Sequence, residues 1–159
     1  MITDADCNIV VALSPIGYND VWPKCRTSFN GIVQDFVLNE SKQIEFNTTI
    51  NKDTDLIIEL YGKQNKDSIM NRDVRINIDS LSIMGIENKK FIYQGVYCPQ
   101  YPEPWASQQR AQGKELEQEI PYTDSLGWNG EWRLTVANPP FSWIQTVLDL
   151  GWIYPNDHL

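Results

Sequence analysis

Strict alternation of apolar and polar residues constrains this chain more than any other feature. In QIEFNTTI, Ile44, Phe46 and Ile50 fall on one face of an extended chain, with Glu45 and Asn47 on the other. DVRINID sets Val74, Ile76 and Ile78 against Arg75, Asn77 and Asp79. EWRLTVA sets Trp132, Leu134 and Val136 against Glu131, Arg133 and Thr135. A period of two buries one of those sets only in a strand with one face on a core and one in water. CNIVVAL, IVQDFVLN, DLIIELYG and FIYQGVYC read as further strands, the first and third more deeply buried. About seven or eight short strands with turn chemistry between them predict an all-β fold, an antiparallel β-sandwich of jelly-roll type.

Local details sharpen that expectation. After Ile78 the apolar phase changes, because Leu81 and Ile83 are odd where Val74, Ile76 and Ile78 are even. One core can hold both sets only across a bulge or sharp bend, expected near Asp79–Ser80. In GWNGEW, Asn129-Gly130 suits a type I′ hairpin, with Trp128 opposite Glu131 and Gly127 opposite Trp132. That pairing turns Trp132 inward and Trp128 outward. NPPFSWIQTVLDLG predicts the one short C-terminal helix, over 139–150, capped by Asn138, with Pro139 in its first turn and Gly151 at its end. Phe141, Ile144, Val147 and Leu148 form its apolar stripe, expected to plug an open end of the sandwich. Residues 99–121 read as a long ordered surface loop, stiffened at its start by prolines, with a turn or two of helix in ASQQRAQGKELEQ. No internal repeat or linker divides the chain, so 1–159 is expected to be a single domain.

Composition removes several classes of function. A length of 159 residues and 42% hydrophobic content suit one domain with a sizeable core. A net charge of −8 repels phosphate backbones and argues against nucleic acid as a partner. No apolar run approaches the ~18–20 residues that span a bilayer, so no membrane insertion is expected. MITDADCNIV lacks the basic and apolar regions of a leader, which predicts synthesis in a cytoplasm without a signal peptide. Cys7, Cys25 and Cys98 contain no CxxC pair and read as small hydrophobes. The one histidine, His158, leaves no material for a Ser-His-Asp triad, an HExxH motif or a Cys/His zinc site.

The candidate ligand- or partner-binding residues are aromatic. Tyr97, Tyr101, Trp105, Tyr122 and Trp128 lie in or beside the long connection, with Gln108 and Asn129 near them. Flat rings stack on the C–H faces of sugars, while amides and carboxylates bond the hydroxyls. The same mixture suits a protein interface, since Trp and Tyr pair apolar area with a polar tip. The alternative is a satellite core beneath the loop. NKDTD and GKQNKDSIMNRD supply Asp53, Asp55, Asp67 and Asp73, oxygen donors of the kind Ca²⁺ takes. Neither loop matches an EF-hand, and Lys52, Lys66 and Arg72 lower the local negative charge, so turn residues are the favoured reading. No cofactor fingerprint is present. Glu59, Glu103 and Glu131 are carboxylates that a glycoside-active enzyme could use, but no motif selects them, and the reading is non-enzymatic.

The segment order IIELYGK, RINIDSLSIMGI, YCPQYPEPW and GWNGEWRLTVANPPFSWI resembles small virion-associated β-sandwich proteins of tailed phages that infect aquatic bacteria, cyanobacteria included. Those proteins are similar in strand pattern to carbohydrate-binding modules, and the likeness covers roughly residues 44–150. It implies a non-catalytic binding or structural role, as a capsid-decorating, tail or fibre-associated virion component. The partners it implies are other virion proteins or further copies of the chain. The alternative it carries is a lectin-like module for a host surface polysaccharide, and a small glycoside-active enzyme comes third. It also implies aromatic platforms and, in some members, a structural Ca²⁺.

Overall fold

The computed structural model of the chain describes residues 4–64 and 73–149. Asp67, Gly151, His158 and the far end of the expected helix lie outside the described residues. Strands β1 (Ala5–Ile16), β4 (Lys42–Ile50), β6 (Arg75–Ile83), β7 (Ile86–Glu87) and β10 (Ser125–Leu126) form one sheet, ordered β10-β6-β1-β4 with β7 on β6. Strands β2 (Lys24–Phe29), β3 (Ile32–Val37), β5 (Thr54–Tyr61), β8 (Val96–Pro99), β9 (Ile120–Pro121) and β11 (Gly130–Val136) form the other, ordered β3-β2-β5-β11-β8-β9. Every strand pairing described is antiparallel. The fold is an all-β sandwich, and the chain changes sheets at seven of the ten connections between successive described strands.

Alternation decides which side chains meet between the sheets. Ile9, Val11 and Leu13 of β1, Ile44, Phe46 and Ile50 of β4, and Ile58 and Leu60 of β5 are all buried in one cluster. Trp132, Leu134 and Val136 enter it from β11, as their spacing predicts. The phase change in β6 is a bulge at the expected place. Ala12 pairs with Ser80 but Leu13 pairs with Ile78, which leaves Asp79 unmatched and exposed. The extra residue lets Ile76, Ile78, Leu81 and Ile83 all face inward. Asp79 is tied back by a 2.9 Å bond from the Ser14 hydroxyl.

Three expectations are corrected. FIYQGVYC is not one strand: Asn88 caps a short helix, α1 (Lys89–Tyr93), by accepting from the Lys90 N–H at 2.9 Å, and β8 starts only after Gly95. GWNGEW is not a hairpin, because β10 joins one sheet and β11 the other. Asn129 has no positive φ, and Gly130 alone takes φ 151°. The type I′ turn is made instead by Asn30 (φ 50°) and Gly31 (φ 80°), flanked by the pair Phe29–Ile32. The C-terminal helix, α3, runs over Pro140–Val147 with extended Pro139 at the cap position, so Asn138 does not cap it. The Asn138 N–H instead donates to Asp53 Oδ1 at 3.0 Å. Ile144 carries α3 into the core beside Trp143, Val147 and Leu148, whereas Phe141 is 57% exposed.

Two positions test the packing with opposite signs. The Thr27 hydroxyl is buried without a hydrogen-bond partner. Thr27→Val keeps the shape and removes that desolvated group, so it is expected to stabilise by about 1 kcal/mol. A Cβ on Gly95 would overlap the Trp132 ring. Gly95→Ala is expected to destabilise by about 1–3 kcal/mol through overpacking. Thermal unfolding of both variants checks the pair of signs; a destabilised Thr27→Val would refute the first.

Candidate functional site

The chain switches sheets between β10 and β11, and a polar lock holds that crossing. Lys63, just past β5, has a side chain only 1% exposed. Its Nζ donates to the Gly127 carbonyl at 2.6 Å, pairs with Asp73 Oδ1 at 3.0 Å and lies 5.1 Å from the centre of the Trp128 ring. A buried ammonium is tolerable only when its protons are satisfied in this way. The Asn129 amide closes on the Lys63 backbone, accepting from its N–H at 2.8 Å and donating to its carbonyl at 2.9 Å. Arg75 bonds Ser125 Oγ at 3.0 Å and lies 3.4 Å from Asp73 Oδ2.

The expected aromatic set divides. Tyr97 is 4% exposed on the core face of β8, and its hydroxyl donates to the Trp128 carbonyl while accepting from the Trp128 N–H. Tyr97, Trp128 and Asn129 therefore belong to the lock, with the half-buried Trp128 ring under Lys63. Tyr101, Trp105 and Gln108 gather at the helix α2 (Trp105–Ala111), within the long connection. Trp105 is 41% exposed and tilts against Tyr101 with centroids 6.0 Å apart. Tyr101 donates to the Glu117 carbonyl at 2.6 Å, and Ala106 is the residue of α2 that enters the interior. Gln108 is exposed. Tyr122, just past β9, is 74% exposed at φ 59°.

The outer face of the β3–β9 sheet carries a cleft of about 410 Å³ that the residue pattern does not single out. Val96 and Cys98 of β8 floor it, Arg133 and Thr135 of β11 form one wall, and Gln94, Glu119 and Trp143 complete it. Trp143 stacks on Phe91 at 5.6 Å with an interplanar angle of 19°. One face of the indole is thus fixed while the ring also lines the cleft. Cys98 is exposed, and one step beyond the Tyr97–Ile120 pair puts it across from Glu119. Tyr101 and Trp105 lie off the end of the same strand. A second cleft of about 400 Å³, lined by Asp6, Cys7, Asn8, Asn47, Thr48, Thr49 and Met84, has no aromatic ring. Helix α3 and three separate segments build the first cleft, so no local motif announces it; the Phe91–Trp143 stack is the signal that marks it, and it is a tertiary one.

The carboxylates are engaged with cations and hydroxyls. Glu59 and Glu131 stand opposite each other across β5 and β11. Glu59 pairs with Arg26 at 3.1 Å, and Glu131 with Arg133 at 3.3 Å. Glu103 lies away on the long connection, 2.5 Å from Ser107 Oγ and 3.8 Å from Arg110. Of the calcium candidates, Asp55 accepts from Thr135 Oγ1 at 2.6 Å and Asp73 faces Lys63 and Arg75. Asp53 and Asp55 sit at the start of β5 and Asp73 beyond its end, so they share no site. Among the described residues no three potential metal ligands cluster, and none of the described helices is long and apolar enough to cross a membrane.

No family model and no curated protein matches the chain. It is similar to a solved structure described as vCBM60 in complex with galactobiose, with 9% identity over 80% of this chain and 97% of that one, at a TM-score of 0.49.

Tyr97 offers a pH test of the lock. Burial pushes its hydroxyl from 10.0 to about 12, although the Trp128 backbone bond and the Arg75 charge pull the other way. A folded-state value above the unfolded one means the contribution is complete below about pH 10 and is lost as pH rises towards about 12. Cys7 and Cys25, pushed up by burial to about 11 and about 12, add to the same alkaline slope. Tyr97→Phe is expected to cost about 1–3 kcal/mol by leaving the Trp128 backbone groups unpaired. It should also flatten the fall in denaturation midpoint between about pH 10 and 12; an unchanged slope would remove Tyr97 from that account.

Proposed function

We propose that the chain is a non-catalytic glycan-binding module whose site is the cleft beside Trp143. The observation that carries this reading is the indole itself, braced on Phe91 and turned into a cleft lined with a carboxamide, a guanidinium, a carboxylate and a hydroxyl. Such a ring receives the C–H face of a sugar, while Gln94, Arg133, Glu119 and Thr135 bond its hydroxyls. The Phe91 contact orders the ring before binding and lowers the cost of ordering it on association. Tyr101 and Trp105 extend the contact beyond the end of β8, and Gln108 adds an exposed amide there. Tyr97, Trp128 and Asn129 serve by holding the β10–β11 crossing, and Tyr122 is an outlying contact. Glu59 and Glu131 are each paired with an arginine, which is in keeping with a binding role. The setting we propose is a virion surface, which rests on the strand-pattern resemblance alone.

The test is titration of the protein with a panel of neutral and acidic polysaccharides, followed by tryptophan fluorescence and calorimetry. Binding should quench fluorescence, and Gln94→Ala or Arg133→Ala should weaken it by about tenfold, near 1.4 kcal/mol. Trp143→Ala should abolish it. Cys98 is exposed while Cys7 and Cys25 are buried, so a bulky maleimide should label Cys98 selectively and block the cleft. Cys98→Ala should restore binding in the treated protein. No response across the panel sinks the proposal. Binding that survives maleimide and Arg133→Ala but is lost in Trp105→Ala would move the site to α2.

A further inference from the structure

Strand β3 is an edge strand with unusual chemistry for an edge. Val33 is 57% exposed, Val37 54% and Ile32 39%. The other edges are blunted: β9, β10 and β7 are two residues long, and β4 presents Gln43, Glu45 and Asn47 on its outer face. The tight turn at Asn30–Gly31 fixes which backbone groups of β3 are spent. In a two-residue hairpin the flanking pair, Phe29–Ile32, exchanges both hydrogen bonds, and alternate residues follow suit. Ile32, Gln34 and Phe36 therefore bond to β2. The N–H and C=O groups of Val33, Asp35 and Val37 point to the free edge.

We infer that this edge pairs with the same edge of a second copy, antiparallel, about a two-fold axis at Asp35. The spacing Val33–Asp35–Val37 is symmetric about its centre, which an isologous interface requires. Asp35 lies opposite Asp35 of the second copy, and Val33 opposite its Val37, each pair exchanging both backbone bonds. All three residues share the outer face, so the valines meet on one side of the joined sheet. Asp35 does not meet its copy as a bare anion. Arg26 holds one carboxylate oxygen through Nε at 3.1 Å and a terminal nitrogen at 2.9 Å, and the Tyr61 hydroxyl donates to the other. Each Asp35 thus brings its Arg26 partner to the axis, an arginine it shares with Glu59. This surface is distinct from the cleft, and the proposal stands whether or not a glycan binds there.

Sedimentation equilibrium of the whole chain tests it, over roughly 10 µM to 1 mM, where an interface this small is expected to lie. The wild type should pass from monomer to dimer. Val37→Pro removes an N–H that the internal ladder does not use and should leave a monomer with unchanged circular dichroism. Val33→Lys with Val37→Lys places like charges across the axis and should do the same, which keeps the test decisive if the proline variant fails to fold. A wild type that stays monomeric over the whole range overturns the inference, and so does a dimer that persists in the folded variants.

Discussion

The burial of one indole sets much of the geometry described above. Trp132 is fully buried on β11, between Ile58 of β5 and Tyr97 of β8. Its ring occupies the space a side chain at residue 95 would fill, so the chain passes there as glycine and turns from α1 into β8. That passage keeps β8 in pairing distance of β11, sets Tyr97 inward under the β10–β11 crossing, and turns Val96 and Cys98 out to floor the cleft. Core and candidate site are thus two faces of one strand pair. Burying a ring of this size is worth several kcal/mol, roughly 3–5 by the usual cost of truncating it, so the arrangement is strongly specified.

Much of this was legible in the residues, for a physical reason. Alternation reports burial directly, so β4, β6 and β11 and their inward side chains could be read without any partner in view, whereas the continuous apolar runs of β1 and β5 announced strands but not which face turns inward. The bulge at Asp79 was legible by the same logic, since a period of two cannot change phase without an extra residue. Strand β2 was not, because Cys25 and Thr27 are poor markers of a core face. The two Asn-Gly pairs show where local chemistry ends. Both can make a tight turn, but Asn129 is captured by the Lys63 backbone and its neighbours are claimed by different sheets. The Asn30 side chain is held as well, donating to the Thr49 carbonyl at 2.9 Å, but its neighbours pair as β2 and β3 of one sheet and the turn forms.

The site was less legible than the fold. Rings in the long connection stand out in the sequence because prolines and glutamines surround them. Trp143 does not, because it sits within a helix whose apolar residues read as packing. The turn or two of helix expected in that connection is α2, which half-exposes Trp105 against Tyr101. The residues that share a cleft with Trp143 come from β8, β11 and the turns beside them, and only the sheet order brings them together. Charge behaves similarly. The −8 total spoke only against phosphate backbones as partners, yet Lys63, Arg26, Arg75 and Arg133 are each committed to a named acidic partner.

The sheet order has one more consequence. In β3-β2-β5-β11-β8-β9 the free edge and the cleft stand four strands apart, on a common outer surface. In a pair joined through β3 the order becomes β8-β11-β5-β2-β3 followed by its mirror sequence. Both clefts then open on the same side, separated by about nine strand spacings or roughly 43 Å. If the clefts bind glycan as proposed, a repeating polymer long enough to bridge that distance would meet its second cleft at high local concentration. The joined sheet would then act as a ruler, turning weak single contacts into avidity for a chain with the matching repeat.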